Sequence, residues 1–191
     1  MKLRVISTSL GDVKVIGHEV FADHRGYFME VYHPDHFREA GLPDSFVQLN
    51  QAGSVRNVLR GLHFQWQPPM GKLMRVIRGE AFIVAVDIRK HSPTLGQWYG
   101  EILSEQNRLQ MWAPASFARG YCVLSDYAEI QYLCTGNYNG ATESGVLYND
   151  PAIGIQWPVS EPILSERDAN AQTLAQWLER PEAENFRYSA S

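Results

Sequence analysis

One histidine, His63, sits in the stretch NVLRGLHFQWQPPMGK (57–72), with Arg60 three positions before it and Lys72 nine after. A histidine among apolar strand residues has three ordinary uses: a hydrogen-bonded core group, a metal ligand, or a base that accepts a proton. Strand alternation puts Leu59, Gly61, His63 and Gln65 on one face and Val58, Leu62, Phe64 and Trp66 on the other. The second face is an apolar wall. The first mixes small and polar residues, as the inside of a ligand-holding barrel would. Arg60 falls on the face opposite His63 unless a bulge or turn intervenes. A metal site needs several ligands to converge, yet His63 has no H-x-H partner and no histidine follows His91. The cysteines, Cys122 and Cys134, are too far apart in sequence to suggest a zinc cluster. The expectation is no metal.

The elements that must position these groups are short and β-rich. VKVIGHEVF (13–21) and YFMEVYH (27–33) flank an ADHRG turn, and FVQLNQA, NVLRGLHFQ, KLMRVIRG, AFIVAVDIR, WYGEIL, LQMWA, GYCVLS and AEIQYLC follow. Their spacing predicts an antiparallel sandwich or barrel. VIRGEAFIV reads as a hairpin turning at Gly79. HPDHFREAG predicts a short helix with Pro34 at an early position and Gly41 as its stop. LSERDANAQTLAQWLER predicts another, opened by Ser165 and Asp168 in the S-x-x-D pattern. The expected architecture is one all-β domain over residues 1–191 with a helical tail.

Composition narrows the partners. The 191 residues are 45% hydrophobic and 20% charged, with a formal net charge of −4, which leaves no electrostatic footprint for nucleic acid or membrane. No apolar run approaches the roughly 20 residues that span a bilayer, and the opening MKLRVISTSLGDVKVIG does not read as a signal peptide. The cysteines lie in apolar runs and read as buried thiols, so the expected compartment is the cytoplasm.

FADHRGYFMEVY, VQLNQAGSVRNVLRGLHFQ, GKLMRVIRGEAFIVAVDIRKHSPTLGQW, WAPASFARGYCVLSD, NDPAIGIQWP and PILSERDA occur in one order along the chain. In this the chain resembles the dTDP-4-dehydrorhamnose 3,5-epimerases, from about residue 3 to residue 175. The resemblance implies a cupin-type jelly roll, a homodimer, no metal or organic cofactor, and a nucleotide-diphosphate 4-keto-6-deoxy sugar as substrate. It implies epimerisation beside the ketone, where an abstracted proton leaves a delocalised enolate. A histidine's reference pKa of about 6.5 leaves it substantially neutral at pH 7 and able to accept that proton. The resemblance makes His63 the base, paired with Asp168, Tyr132 the proton donor, and Lys72 the cation beside the keto oxygen. It also assigns Arg25 and Arg60 to the nucleotide and its diphosphate, and Glu30, Gln48, Asn50, Glu143 and Arg167 to polar contacts around nucleotide and sugar. For Asp168 the plain alternative is helix capping; one residue can fill both roles.

The chain departs from the family in PASFARGY, where Ser116 replaces a glycine and Arg119 a histidine that lines the substrate pocket. Leu133 and Gly53 replace a frequent lysine and serine. An arginine at 119 has three uses: binding an extra anionic group, holding the diphosphate in an altered pose, or filling space. Two further readings stand beside double epimerisation: inversion of a single centre, and a sugar-nucleotide binding module without catalysis.

Overall fold

A computed structural model describes residues 2–189. Its strands, in chain order, are β1 (Leu3–Ser7), β2 (Lys14–His18), β3 (Val20–Asp23), β4 (Gly26–Met29), β5 (Gln48–Val55), β6 (Leu59–Gln65) and β7 (Lys72–Arg78). They continue as β8 (Glu80–Asp87), β9 (Trp98–Ser104), β10 (Gln110–Ala113), β11 (Phe117–Val123), β12 (Tyr127–Cys134) and β13 (Glu143–Gly145). Helix α1 (Pro34–Glu39) precedes β5; α2 (Glu166–Ala169), α3 (Leu174–Glu179) and a 3-10 turn (Pro181–Phe186) follow β13.

Two antiparallel sheets face each other as an all-β jelly-roll sandwich: six strands in the order β1-β2-β10-β7-β12-β5, and five in the order β13-β6-β11-β8-β9. Between them pack Val15, Met74, Val76 and Ile130 from one sheet and Ile83, Ala85, Leu103 and Val123 from the other. The five-stranded sheet is covered on its outer face too. Leu62, Phe64, Val84 and Val86 meet Leu174, Trp177 and Phe186 of the tail, so β11 is buried along its whole length. This double covering explains its nearly continuous apolar sequence. Helix α1 starts with Pro34 at its first turn, and Phe37 packs with Ile16, Leu73 and Trp112 on the back of the six-stranded sheet.

Three local expectations change. Gly79 does not close a hairpin: β7 pairs with β10 and β12, whereas β8 pairs with β11 and β9. The chain uses the positive φ of Gly79 (76°) to cross from one sheet to the other. The tail is two helices rather than one, because Thr173 makes its own capping box and Leu174 N–H donates to Asp150 24 residues away, at 2.6 Å. The simple alternation along β6 also fails at its start. Arg119 of β11 lies opposite His63 but Tyr121 lies opposite Arg60, so two steps on β11 span three on β6. This bulge turns Arg60 to the His63 face. It is centred on Gly61, whose φ is +126° and where a Cβ would stand 2.6 Å from the Gly120 Cα.

Gly61→Ala combines a disallowed backbone region with an unrelieved clash against backbone, and is expected to lower unfolding free energy by roughly 2–4 kcal/mol. Urea denaturation measures it; a loss below about 0.5 kcal/mol would mean that the two strands can part without cost.

Candidate active site

Asp168 reaches β6 from the far end of the chain. The segment before α2 is tied to the start of β6 by Ile163 N–H to Asn57 C=O (2.8 Å) and Leu59 N–H to Ile163 C=O (3.0 Å). Ser165 then caps α2, its hydroxyl accepting from the Asp168 backbone N–H at 3.1 Å. The Asp168 carboxylate is left free for His63, with Oδ1 2.6 Å from Nε2. Asp168 is only 4% exposed. Burial alone would raise its pKa, but the His63 bond and charge, the Ser165 hydroxyl and the Gly61 N–H together bring it below the usual carboxylate value. With Nε2 engaged, Nδ1 is the ring nitrogen without a protein hydrogen bond among the described residues.

His63 opens on a cavity of about 220 Å³ between the two sheets. The five-stranded sheet contributes Arg60, His63, Arg119 and Tyr121; the six-stranded sheet contributes Ala52, Lys72, Met74 and Tyr132. Lys72 Nζ lies 5.0 Å from the centre of the Tyr132 ring. Burial first, and the Arg119 charge second, push the Lys72 amine down to about 8. Burial raises the Tyr132 hydroxyl and so keeps it protonated. The cavity thus holds a carboxylate-backed imidazole, a poised amine and a neutral phenol.

The other predicted residues divide. Arg60 is exposed at the cavity, with Nε donating to Ser54 Oγ at 3.2 Å. Gln48 and Asn50 line a smaller, adjoining pocket that shares Lys72, Tyr132 and Glu143. Gln48 Nε2 donates to Asn50 Oδ1 at 2.9 Å. Arg167 holds Glu143 at 2.6 Å, with Tyr138 also donating to that carboxylate. Arg119 is 3% exposed and lines the cavity. Arg25 and Glu30 are not brought there. Arg25 sits on the exposed turn of the β3–β4 hairpin, paired with Asp23, and Glu30 is bonded to His36 at 2.6 Å. The substituted Leu133 and Gly53 lie on the back of the six-stranded sheet, so of these departures Arg119 is the one inside the cavity.

Tyr121 and Tyr138 were missed. Tyr121 was within reach of sequence reasoning, because two steps along β11 from Arg119 return to the same face. Tyr138 follows β12 in a loop whose placement no periodicity fixes. Among the described residues no group of three or more His, Cys, Asp or Glu side chains is arranged to hold a metal ion, and no helix is long and apolar enough to cross a membrane. Both cysteines are free and buried.

Residues 7–176 match the family model described as dTDP-4-dehydrorhamnose 3,5-epimerase. A protein of that name from Neisseria gonorrhoeae is 50% identical over 173 residues, 90% of this chain; the chain spans about half (53%) of that relative's length. Its counterpart from Salmonella typhimurium is 50% identical over 177 residues, covering 91% of this chain and 97% of the relative. A crystal structure of a dTDP-6-deoxy-D-glucose-3,5-epimerase from Legionella pneumophila, in complex with dTDP-4-keto-L-rhamnose, superposes with a TM-score of 0.92 at 43% identity. That match covers 98% of this chain and 100% of the other.

The Asp168–His63 contact carries a pH signature. A carboxylate whose folded pKa is depressed contributes stability that is present above its unfolded value, about 3.9, and lost as the folded group protonates. Asp168→Asn is therefore expected to cost roughly 1–3 kcal/mol at neutral pH, with the gap to wild type closing as pH falls below that value. Urea unfolding at a series of pH values measures it; a gap that is constant with pH would show that the carboxylate charge contributes nothing.

Proposed function

The chain belongs to the dTDP-4-dehydrorhamnose 3,5-epimerase family, whose members are dTDP-sugar isomerases, and from this we propose that it epimerises dTDP-4-keto-6-deoxyglucose at C3 and C5. The observation that carries the reading is His63, backed by the buried carboxylate of Asp168 and facing Lys72 and Tyr132 across one cavity. His63 takes the proton from the carbon beside the ketone through Nδ1. The C–H electron pair becomes the C=C bond of the enolate, and the C=O π pair moves onto the C4 oxygen. Asp168 fixes the imidazole tautomer and stabilises the imidazolium that forms. Lys72 provides positive charge to the enolate oxygen. Tyr132, on the opposite sheet, gives its hydroxyl proton to the other face of the same carbon; the C=O bond is restored and the centre inverted. The tyrosinate then recovers a proton from solvent as His63 releases its own. No step in this scheme uses a metal or an organic cofactor.

Single-centre inversion is the second reading, favoured by the one departure that lines the cavity, Arg119. Incubation with dTDP-4-keto-6-deoxyglucose in D₂O, with EDTA present, separates the two by NMR. Deuterium is expected at both C3 and C5; label at one carbon supports the single-centre reading, and none would leave a binding module. His63→Ala should lower turnover by about 10² to 10⁴, and Asp168→Asn by less. Tyr132→Phe should impair inversion more than exchange, since abstraction continues while reprotonation from the far face fails. Equal loss of both would refute that division.

The functional unit we propose is a homodimer in the cytoplasm, the compartment that suits two free buried thiols. In support, β5 is an edge strand of eight residues, exposing Leu49 (58%) and Val55 (54%). The β3–β4 hairpin exposes Phe21, Tyr27 and Phe28 beside Arg25. In the dimer we propose, this hairpin carries Arg25 to the second copy's cavity, which would account for an arginine expected at the nucleotide yet remote from its own cavity. Light scattering after gel filtration should return twice 21.7 kDa; a monomer at micromolar concentration would sink the proposal.

A further inference from the structure

Arg119 enters the cavity with two of its three guanidinium nitrogens unpaired. Nη1 donates to the Pro114 carbonyl at 2.7 Å, which anchors the group, while Nε and Nη2 are buried without a hydrogen-bond partner. Those two nitrogens form one edge of the fork, the edge that takes an oxygen acceptor. Glu143, the carboxylate lining this cavity, is already engaged by Arg167, and Asp168 behind the cavity is engaged by His63. A buried guanidinium with one edge unpaired is costly, and an oxygen acceptor on a ligand compensates that charge.

The position of the side chain selects which part of the ligand that is. Arg119 is the direct cross-strand partner of His63, and opposed residues on neighbouring strands project to the same face. Arg60, by contrast, is exposed. In a pyranose, C4 is the ring carbon furthest from C1, which bears the diphosphate, and C3 and C5 flank C4. A group beside the base that attacks C3 and C5 therefore meets the C4 oxygen rather than the diphosphate. We propose that Arg119 is a second oxyanion-holding cation of the reaction centre, its Nε–H and Nη2–H edge taking the C4 oxygen as the enolate forms and sharing that charge with Lys72. The inference rests on the epimerase reading above. No proton passes through Arg119: the C–H proton goes to His63, and the electron pair displaced from the C=O bond comes to rest on the oxygen that Arg119 holds. A side chain that replaces a pocket-lining histidine thereby becomes catalytic. Lys72, whose amine is buried and repelled by Arg119, is relieved of holding the enolate alone.

Three variants test this, Arg119→Met, Arg119→Lys and Lys72→Met, each in two measurements: deuterium exchange into saturating dTDP-4-keto-6-deoxyglucose, and calorimetric binding of dTDP, which carries the diphosphate but no sugar. Arg119→Met should lower saturated exchange on the order of 10²-fold while changing dTDP affinity by less than about threefold. Arg119→Lys should recover part of the exchange, and Lys72→Met should fall by a comparable factor without abolishing it. Removal of an unpaired buried charge should also leave the free Arg119→Met protein at least as heat-stable as wild type. If it fails to fold, Arg119→His, the family's usual residue, takes its place with the same two measurements. Affinity for dTDP weakened by about tenfold or more with saturated exchange intact would make Arg119 a diphosphate ligand and overturn the proposal. So would no change in either. A wild-type protein that binds dTDP but exchanges no deuterium would bring down the epimerase reading itself, and with it this one.

Discussion

At Gly61 and Gly120, β6 and β11 approach more closely than any side chain permits: a Cβ on Gly61 would stand 2.6 Å from the Gly120 Cα, and one on Gly120 2.8 Å from the Arg60 carbonyl oxygen. The site's geometry descends from that contact. Because the strands touch there, β6 takes an extra residue against β11, and the extra residue resets which side chains face inward. Arg60 and His63, an odd number of positions apart, come to line one cavity. Without the bulge one of them would point into the apolar layer behind the sheet, where Leu62 and Phe64 meet Trp177.

That apolar layer is what makes the inward face available for polar work. The tail buries Trp177 and Phe186 against the outer face of the five-stranded sheet, and so supplies hydrophobic contact that the inner face gives up around His63, Arg119 and Tyr121. The same tail presents Asp168. Its backbone N–H satisfies the Ser165 cap and its carboxylate holds the imidazole, so local helix geometry and long-range pairing are met by different atoms of one residue. Capping and pairing do not compete.

Sequence legibility followed the range of each interaction. Runs such as NVLRGLHFQ and AEIQYLC gave strands because alternation and β-branched content are local properties, and Pro34, Gly41 and Ser165 marked helix ends for the same reason. The Arg60 orientation could not be read, since the bulge depends on where β11 lies. Gly79 was visible as a turn, but whether the chain reverses or changes sheet is decided by partners elsewhere. The break between α2 and α3 depends in part on Asp150, a residue outside the helical segment. Arg25 and Glu30 carry the right residue types beside recognisable motifs, yet an exposed turn and His36 claim them within this chain. The pairing of His63 with Asp168, 105 residues apart, came from family resemblance and from nothing in the spacing.

The way the tail closes over β6 also orders events during synthesis. A nascent chain will have both walls of the sandwich outside the ribosome once β13 has emerged, with His63, Lys72 and Tyr132 already in hand. The imidazole will nonetheless lack its carboxylate, and the back of its sheet will be bare, until the segment from Ile163 to Phe186 has followed and docked. A half-made molecule is therefore sticky and idle. The apolar surface open to wrong contacts in that interval is the face that Trp177 will later cover.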